Sequence, residues 1–153
     1  MRKTKTGRPS KDNSIGSLVG KPKCRFDPNG VVSFNFSNLS KDFSFDHKDF
    51  SYDHYSSFCQ SLIDISGKNW NESYKAGKHS RIGIEHLELN RFKKNNDINR
   101  LIDENEEKLT IFRYHGNLPM AGLRKEDIFY VIFLESKYDD LYIHDGKKAQ
   151  NWK

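Results

Sequence analysis

The chain has 153 residues, enough for one domain with a real core, yet only 35% of them are hydrophobic and 31% are charged. Its formal charge is +5, but the first 25 residues hold eight bases against Asp12 alone, a net +7, which leaves −2 for the other 128. No run of 18 apolar residues occurs and no apolar stretch follows the basic start, so neither a membrane helix nor a secretory leader is expected, and the basicity belongs to the N-terminal arm.

Residues 1–22, rich in Gly, Ser, Pro, Lys and Arg, read as a disordered basic arm, and residues 23–153 as a single α+β domain. Cys24 and Cys59 lack the close spacing of a zinc or redox pair, so reduced thiols in a cytoplasmic protein are expected. After the turn signal Asp27-Pro28-Asn29-Gly30, Val32, Phe34 and Phe36 alternate as on a strand, and Phe43 and Phe45 alternate again in a short strand or extended loop. From Asp53, placed as the N-cap, Tyr55, Phe58, Cys59, Leu62 and Ile65 follow helical spacing up to Gly67, where a helix stops.

"FSFDHKDFSYDH", residues 43–54, contains Asp-His twice, which raises the question of a metal. Neighbouring residues on a strand point to opposite faces, so Asp46 and His47 cannot both ligate, and Asp53 is more use as a cap than His54 is as a ligand. The repeat is read as aromatic anchors with polar neighbours; no metal and no cofactor are expected, and no P-loop, dinucleotide fingerprint or nucleophile elbow is present.

"NWNESYKAG" predicts a further short helix, and "SRIGIEHLEL" a strand with Ile82, Ile84 and either His86 or Leu87 facing inward. "NDINRLIDENEEK" predicts a charged helical insertion; "LTIFRYHG", "LPMAGLRK" and "DIFYVIFLES" then predict successive antiparallel strands, with "DLYIHD" a last short one. On this alternation Arg113 and His115 share one face of their strand, while Phe112 and Tyr114 share the other.

An early helical segment followed by a late antiparallel sheet is similar to the RelE/ParE-like toxin fold. The end of the chain resembles a group of small prophage and plasmid proteins, through His79-Ser80-Arg81-Ile82, then Gly122, then Phe129-Tyr130-Val131-Ile132-Phe133-Leu134 and Leu141-Tyr142. Where that group has Asp-Pro and then His before Leu-Tyr, this chain has Glu135-Ser136 and Tyr138-Asp139-Asp140, so the pattern's His is missing. The resemblance implies a toxin-like, RNA-directed protein of a toxin-antitoxin or other mobile-element system. RelE-like ribonucleases cut mRNA without metal, with a base on the ribose 2′-OH and cations on the phosphorane.

That chemistry needs an acid or base near neutrality and fixed positive charge. His86, His115, Tyr142 and His144 are the catalytic candidates, and Arg81, Arg113 and Arg124 the phosphate-binding ones. Trp70, Tyr74 and Trp152, near Lys68, Lys75, Lys147 and Lys148, are candidate base-stacking groups. RNA or ribosome-bound mRNA and an antitoxin protein are the implied partners, without a membrane; the oligomeric state is not legible. The competing class is a non-catalytic mobile-element protein that binds a protein or nucleic acid, which the missing His favours.

Overall fold

The computed structural model describes residues 29–144. The expected arm of residues 1–22, Cys24, Lys147, Lys148 and Trp152 lie outside them. The described chain is α+β, with helices α1 (Tyr52–Ser66), α2 (Trp70–Lys75) and α3 (Asn96–Leu101). One sheet contains β1 (Ser33–Asn35), β2 (Ile84–Glu88), β3 (Lys108–His115), β4 (Leu118–Lys125) and β5 (Ile128–Leu134), in the order β1-β5-β4-β3-β2.

The last four strands pair antiparallel, as expected, but β1 adds to the β5 edge in parallel, so the sheet is mixed. Consecutive strands joined by tight turns must run antiparallel; β1 reaches β5 only through the rest of the chain, and a connection that long allows either direction. The described part of "DLYIHD", residues 140–144, forms no strand: Tyr142 makes one isolated bridge to Phe92, and these residues otherwise turn back over the sheet.

Both sheet faces are covered, which is why β3 to β5 read as nearly unbroken apolar runs. Leu109 and Ile111 of β3 face a cluster with Phe92, Ile98 and Ile102 around α3, closed by Leu141 and Tyr142. Phe112 and Tyr114 face the other cluster, with Phe58 and Ile65 of α1 and Trp70 of α2.

α1 begins at Ser51 rather than Asp53. The His54 amide donates to the Ser51 hydroxyl while the Ser51 amide donates to His54 Nδ1, so His54 completes a capping box and Asp53 is left to favour the positive helix end. The buried stripe is Phe58, Ser61 and Ile65, whereas Tyr55 and Cys59 are exposed. Counting apolar residues alone overlooks Ser61, whose small side chain lets α1 approach the sheet and whose hydroxyl donates to the Tyr114 carbonyl at 3.2 Å. Asn69 with Glu72 makes a second capping box at α2, and Asn95 accepts from the Ile98 amide at α3.

The Asp-His repeat takes two separate structural parts. Phe43 and Phe45 lie in consecutive turns, not a strand, and enter different clusters: Phe43 packs edge-on against Phe133, Phe45 against Phe58. His47 joins this loop to the end of β5 through Ser136, at 2.8 Å from Nδ1, and Asp140, at 3.3 Å from Nε2. Among the described residues no group of three or more His, Cys, Asp or Glu is placed to hold a metal ion, and no helix is long and apolar enough to cross a membrane.

Candidate functional site

Strand parity builds the strongest site. Glu85 and Leu87 of β2 lie opposite Ile111 and Leu109 of β3, so Glu85 shares a sheet face with Ile111 and with Arg113, two residues along. Arg113 and Glu85 pair at 2.5 Å, both side chains being largely buried, and Arg113 Nη1 donates to the Asn117 carbonyl at 2.7 Å. The Arg113 Nε is buried without a hydrogen-bond partner among the described residues.

The chain returns to this face after β5. Glu135 is fully buried; its Oε2 accepts from the Leu141 and Tyr142 amides at 3.0 and 3.3 Å, and its Oε1 lies 2.6 Å from His144 Nε2. The His144 ring is sandwiched between Tyr138 and Tyr142, with centroids 4.0 and 4.1 Å away. Asp139 holds the turn: its φ of 62° is one that Asp tolerates, and its carboxylate accepts from the His144 amide at 2.8 Å. Arg91 approaches from the 3₁₀ turn Leu89–Arg91, donates to the Ile143 carbonyl at 3.2 Å, and sits 5.9 Å from the Tyr142 ring centre.

Glu85, Arg91, Arg113, Tyr142 and His144 line a cleft of about 310 Å³, whose rim adds Lys78, His79, Asn117 and Tyr138. The Tyr142 hydroxyl is buried with no partner in hydrogen-bonding geometry among the described residues, and so is Arg91 Nε. Burial pushes the Tyr142 pKa up to about 12, an effect the nearby Arg113 charge partly offsets. Two guanidinium groups, that of Arg113 paired with Glu85, thus meet a protonated phenol and a carboxylate-held imidazole in one place. Such a set can bind an anion and exchange protons with it.

Of the seven residues expected at a site, Arg113, Tyr142 and His144 come together here. His115 and Arg81 line a neighbouring cleft of about 240 Å³ that shares His79 and Arg113 with the first. His115 does not share the Arg113 face, because the β3–β4 register slips between Arg113 and His115, leaving Tyr114 as the extra residue. His115 therefore turns toward α1, where its Nδ1 meets the Ser57 hydroxyl at 2.7 Å and its ring lies 4.7 Å from His54. Arg81 pairs with Asp64 of α1 at 3.1 Å.

His86 and Arg124 lie away from both clefts. His86 is stacked at 5.9 Å on Tyr74, on the sheet face opposite Glu85, with its pKa lowered by burial and then by Lys108. The Arg124 guanidinium lies 3.9 Å over the Trp70 ring and donates to the Tyr74 hydroxyl. Trp70 is fully buried in the core, so it offers no surface on which a base could stack.

Sequence reasoning missed Glu85, Arg91 and Glu135. Two carried a signal: Glu85 alternates with the inward Leu87, and Glu135 ends the apolar run Ile128–Leu134. Arg91 carried none.

The His54 pair gives a test of acid stability. Burial, and next the charge on His115, hold the His54 pKa below its ordinary 6.5. The unfolded chain therefore binds a proton first, so this contribution is complete above pH 6.5 and is lost as pH falls toward the folded-state value. Urea unfolding at pH 7 and pH 5 is expected to show a drop in stability on acidification, and His54→Gln a smaller drop.

The chain matches no protein-family model, and no curated protein or solved structure matches it.

Proposed function

We propose that the chain is a RelE-like, RNA-directed toxin that cleaves a phosphodiester without a metal in the Arg113–Tyr142–His144 cleft. The observation that carries the reading is the buried Glu135 carboxylate on His144 Nε2 at 2.6 Å, beside Tyr142 and Arg113. A carboxylate behind an imidazole fixes its tautomer and orientation, an arrangement that suits proton transfer. The residue order departs from the pattern, since His144 follows Leu141-Tyr142 where the resembling proteins have a His before them, so the support is the site's geometry.

In this mechanism Arg113 and Arg91 hold the non-bridging phosphate oxygens. Because Nε2 is held by Glu135, His144 Nδ1 takes the proton of the ribose 2′-OH as its oxygen attacks phosphorus. Tyr142, whose pKa of about 12 keeps it protonated at neutral pH, gives its proton to the departing 5′-oxygen. The P–O5′ bond breaks, leaving a 2′,3′-cyclic phosphate and a 5′-hydroxyl; the proton on His144 then returns to Tyr142 through solvent. An antitoxin would be a protein that covers this cleft.

The purified chain incubated with RNA in EDTA tests this. Cleavage with cyclic-phosphate ends is expected, cut roughly 10²- to 10⁴-fold in His144→Ala. Growth arrest on expression in a bacterium should be relieved by His144→Ala or Arg113→Ala. Harmless expression with intact RNA would sink the enzyme reading in favour of a non-catalytic binding protein.

A further inference from the structure

The outward face of α1 is anomalous for a chain that is 31% charged. Tyr52, Tyr55, Cys59 and Ile63 recur at spacings of three, four and four, which places them on one side of the helix. Tyr52 is 83% exposed, Tyr55 42% and Ile63 67%, and Cys59 is exposed too. Ser56 and Gln60 complete the strip, and no charged side chain interrupts it: the acids of α1, Asp53 and Asp64, lie to its flank, and Asp64 is already paired with Arg81. An uncharged, partly aromatic strip this long on a very polar surface is what a buried contact surface looks like before it is covered.

The order of the strip says what covers it. Cys59 is the middle residue of Tyr52–Ser66, and Tyr55 and Ile63 lie equally far on either side. If a second α1 crosses antiparallel with the two-fold axis at Cys59, Tyr55 of each copy meets Ile63 of the other, Tyr52 meets Ser66, and Cys59 meets its own counterpart. That is the self-complementarity an isologous contact requires. Antiparallel pairing lays Lys68, just past the C-terminal end of each helix, near Asp49 and Asp53 at the start of the other, while Asp64, which falls near the other copy's Asp53, is already paired with Arg81; the pairing also opposes the two helix dipoles. Small residues at the crossing, Cys59 and Ser56, let the helices approach closely. α1 covers the sheet face opposite Arg113 and Glu85, so pairing leaves the cleft open.

We infer that the protein forms a symmetric homodimer through the Tyr52–Tyr55–Cys59–Ile63 strip of α1. The full chain carrying Cys24→Ser, so that Cys59 is the remaining cysteine, tests it by sedimentation velocity over a concentration series and by mild oxidation with diamide. In the oxidation two Cys59 thiols form one disulfide and pass two electrons and two protons to diamide, which becomes the hydrazine. A concentration-dependent dimer is expected, with nearly complete Cys59–Cys59 linkage. Ile63→Glu, a change at an exposed position that circular dichroism should show to be folded, is expected to raise the dissociation constant roughly a hundredfold, because each dimer contains the change twice. A monomer at all concentrations, a dimer that Ile63→Glu leaves intact, or a dimer whose Cys59 residues do not link would each overturn the inference.

Discussion

Replacing Gly122 by alanine is expected to cost about 3 kcal/mol of folding free energy, a large share of the roughly 5–15 kcal/mol that holds a typical domain together. A Cβ at this position would stand 1.9 Å from the Tyr130 carbonyl oxygen and 3.1 Å from the Val131 Cα. Both are backbone atoms of the neighbouring strand and cannot rotate away as a side chain would. The close approach follows from the bulge in β5: Ala121 pairs with Phe133 and Gly122 with Val131, which leaves Ile132 as the extra residue and kinks β5 against β4. β4 lies between β3 and β5, so its shift would disturb both ladders at once. Urea denaturation of Gly122→Ala checks this; a midpoint like that of the unchanged protein would mean that the strands separate at this point without loss.

Gly122 also shows what kind of information the sequence carried. Its place in the sheet explains it by backbone geometry rather than by chemistry. The helix at Tyr52–Ser66 and the β3–β5 meander were legible because periods of 3.6 and two survive in the order of apolar residues. The two bulges were not, since an extra residue leaves no mark on composition. At Tyr114 that single residue turned His115 away from Arg113 and toward α1, undoing the cationic face that strict alternation predicts. Trp70 was misread for another reason: Lys68 and Lys75 beside it in sequence suggest surface, while its burial depends on Phe112, Phe129 and Arg124, all distant in sequence. The cleft was half legible. Arg113, Tyr142 and His144 stood out as chemical types, but Arg91 joins them only through tertiary structure.

Glu135 separates the two roles that such a cleft must combine, and its two substitutions are expected to fail differently. Glu135→Ala removes the acceptor of the Leu141 and Tyr142 amides and the partner of His144 in one step. Leu141 and Tyr142 are almost fully buried, so the segment must either keep two orphaned amides inside or peel away from β3 with its apolar side chains. At about 1–3 kcal/mol for each unsatisfied buried amide, a loss of roughly 3–5 kcal/mol is expected, together with the whole of the proposed cleavage. Glu135→Gln keeps the shape and one acceptor oxygen. That oxygen can serve the two amides, and the remaining amide NH₂ then donates to His144 Nε2. With Nε2 an acceptor, the neutral imidazole carries its proton on Nδ1, the nitrogen that takes the proton of the 2′-OH in the proposed mechanism. Stability should therefore fall by only about 1 kcal/mol, while cleavage should drop nearly as far as in His144→Ala. Thermal unfolding and RNA cleavage measured on both variants decide the matter. A Gln variant that cleaves like the unchanged protein would make Glu135 a structural anchor alone, and the proton would have to leave the 2′-OH by another group.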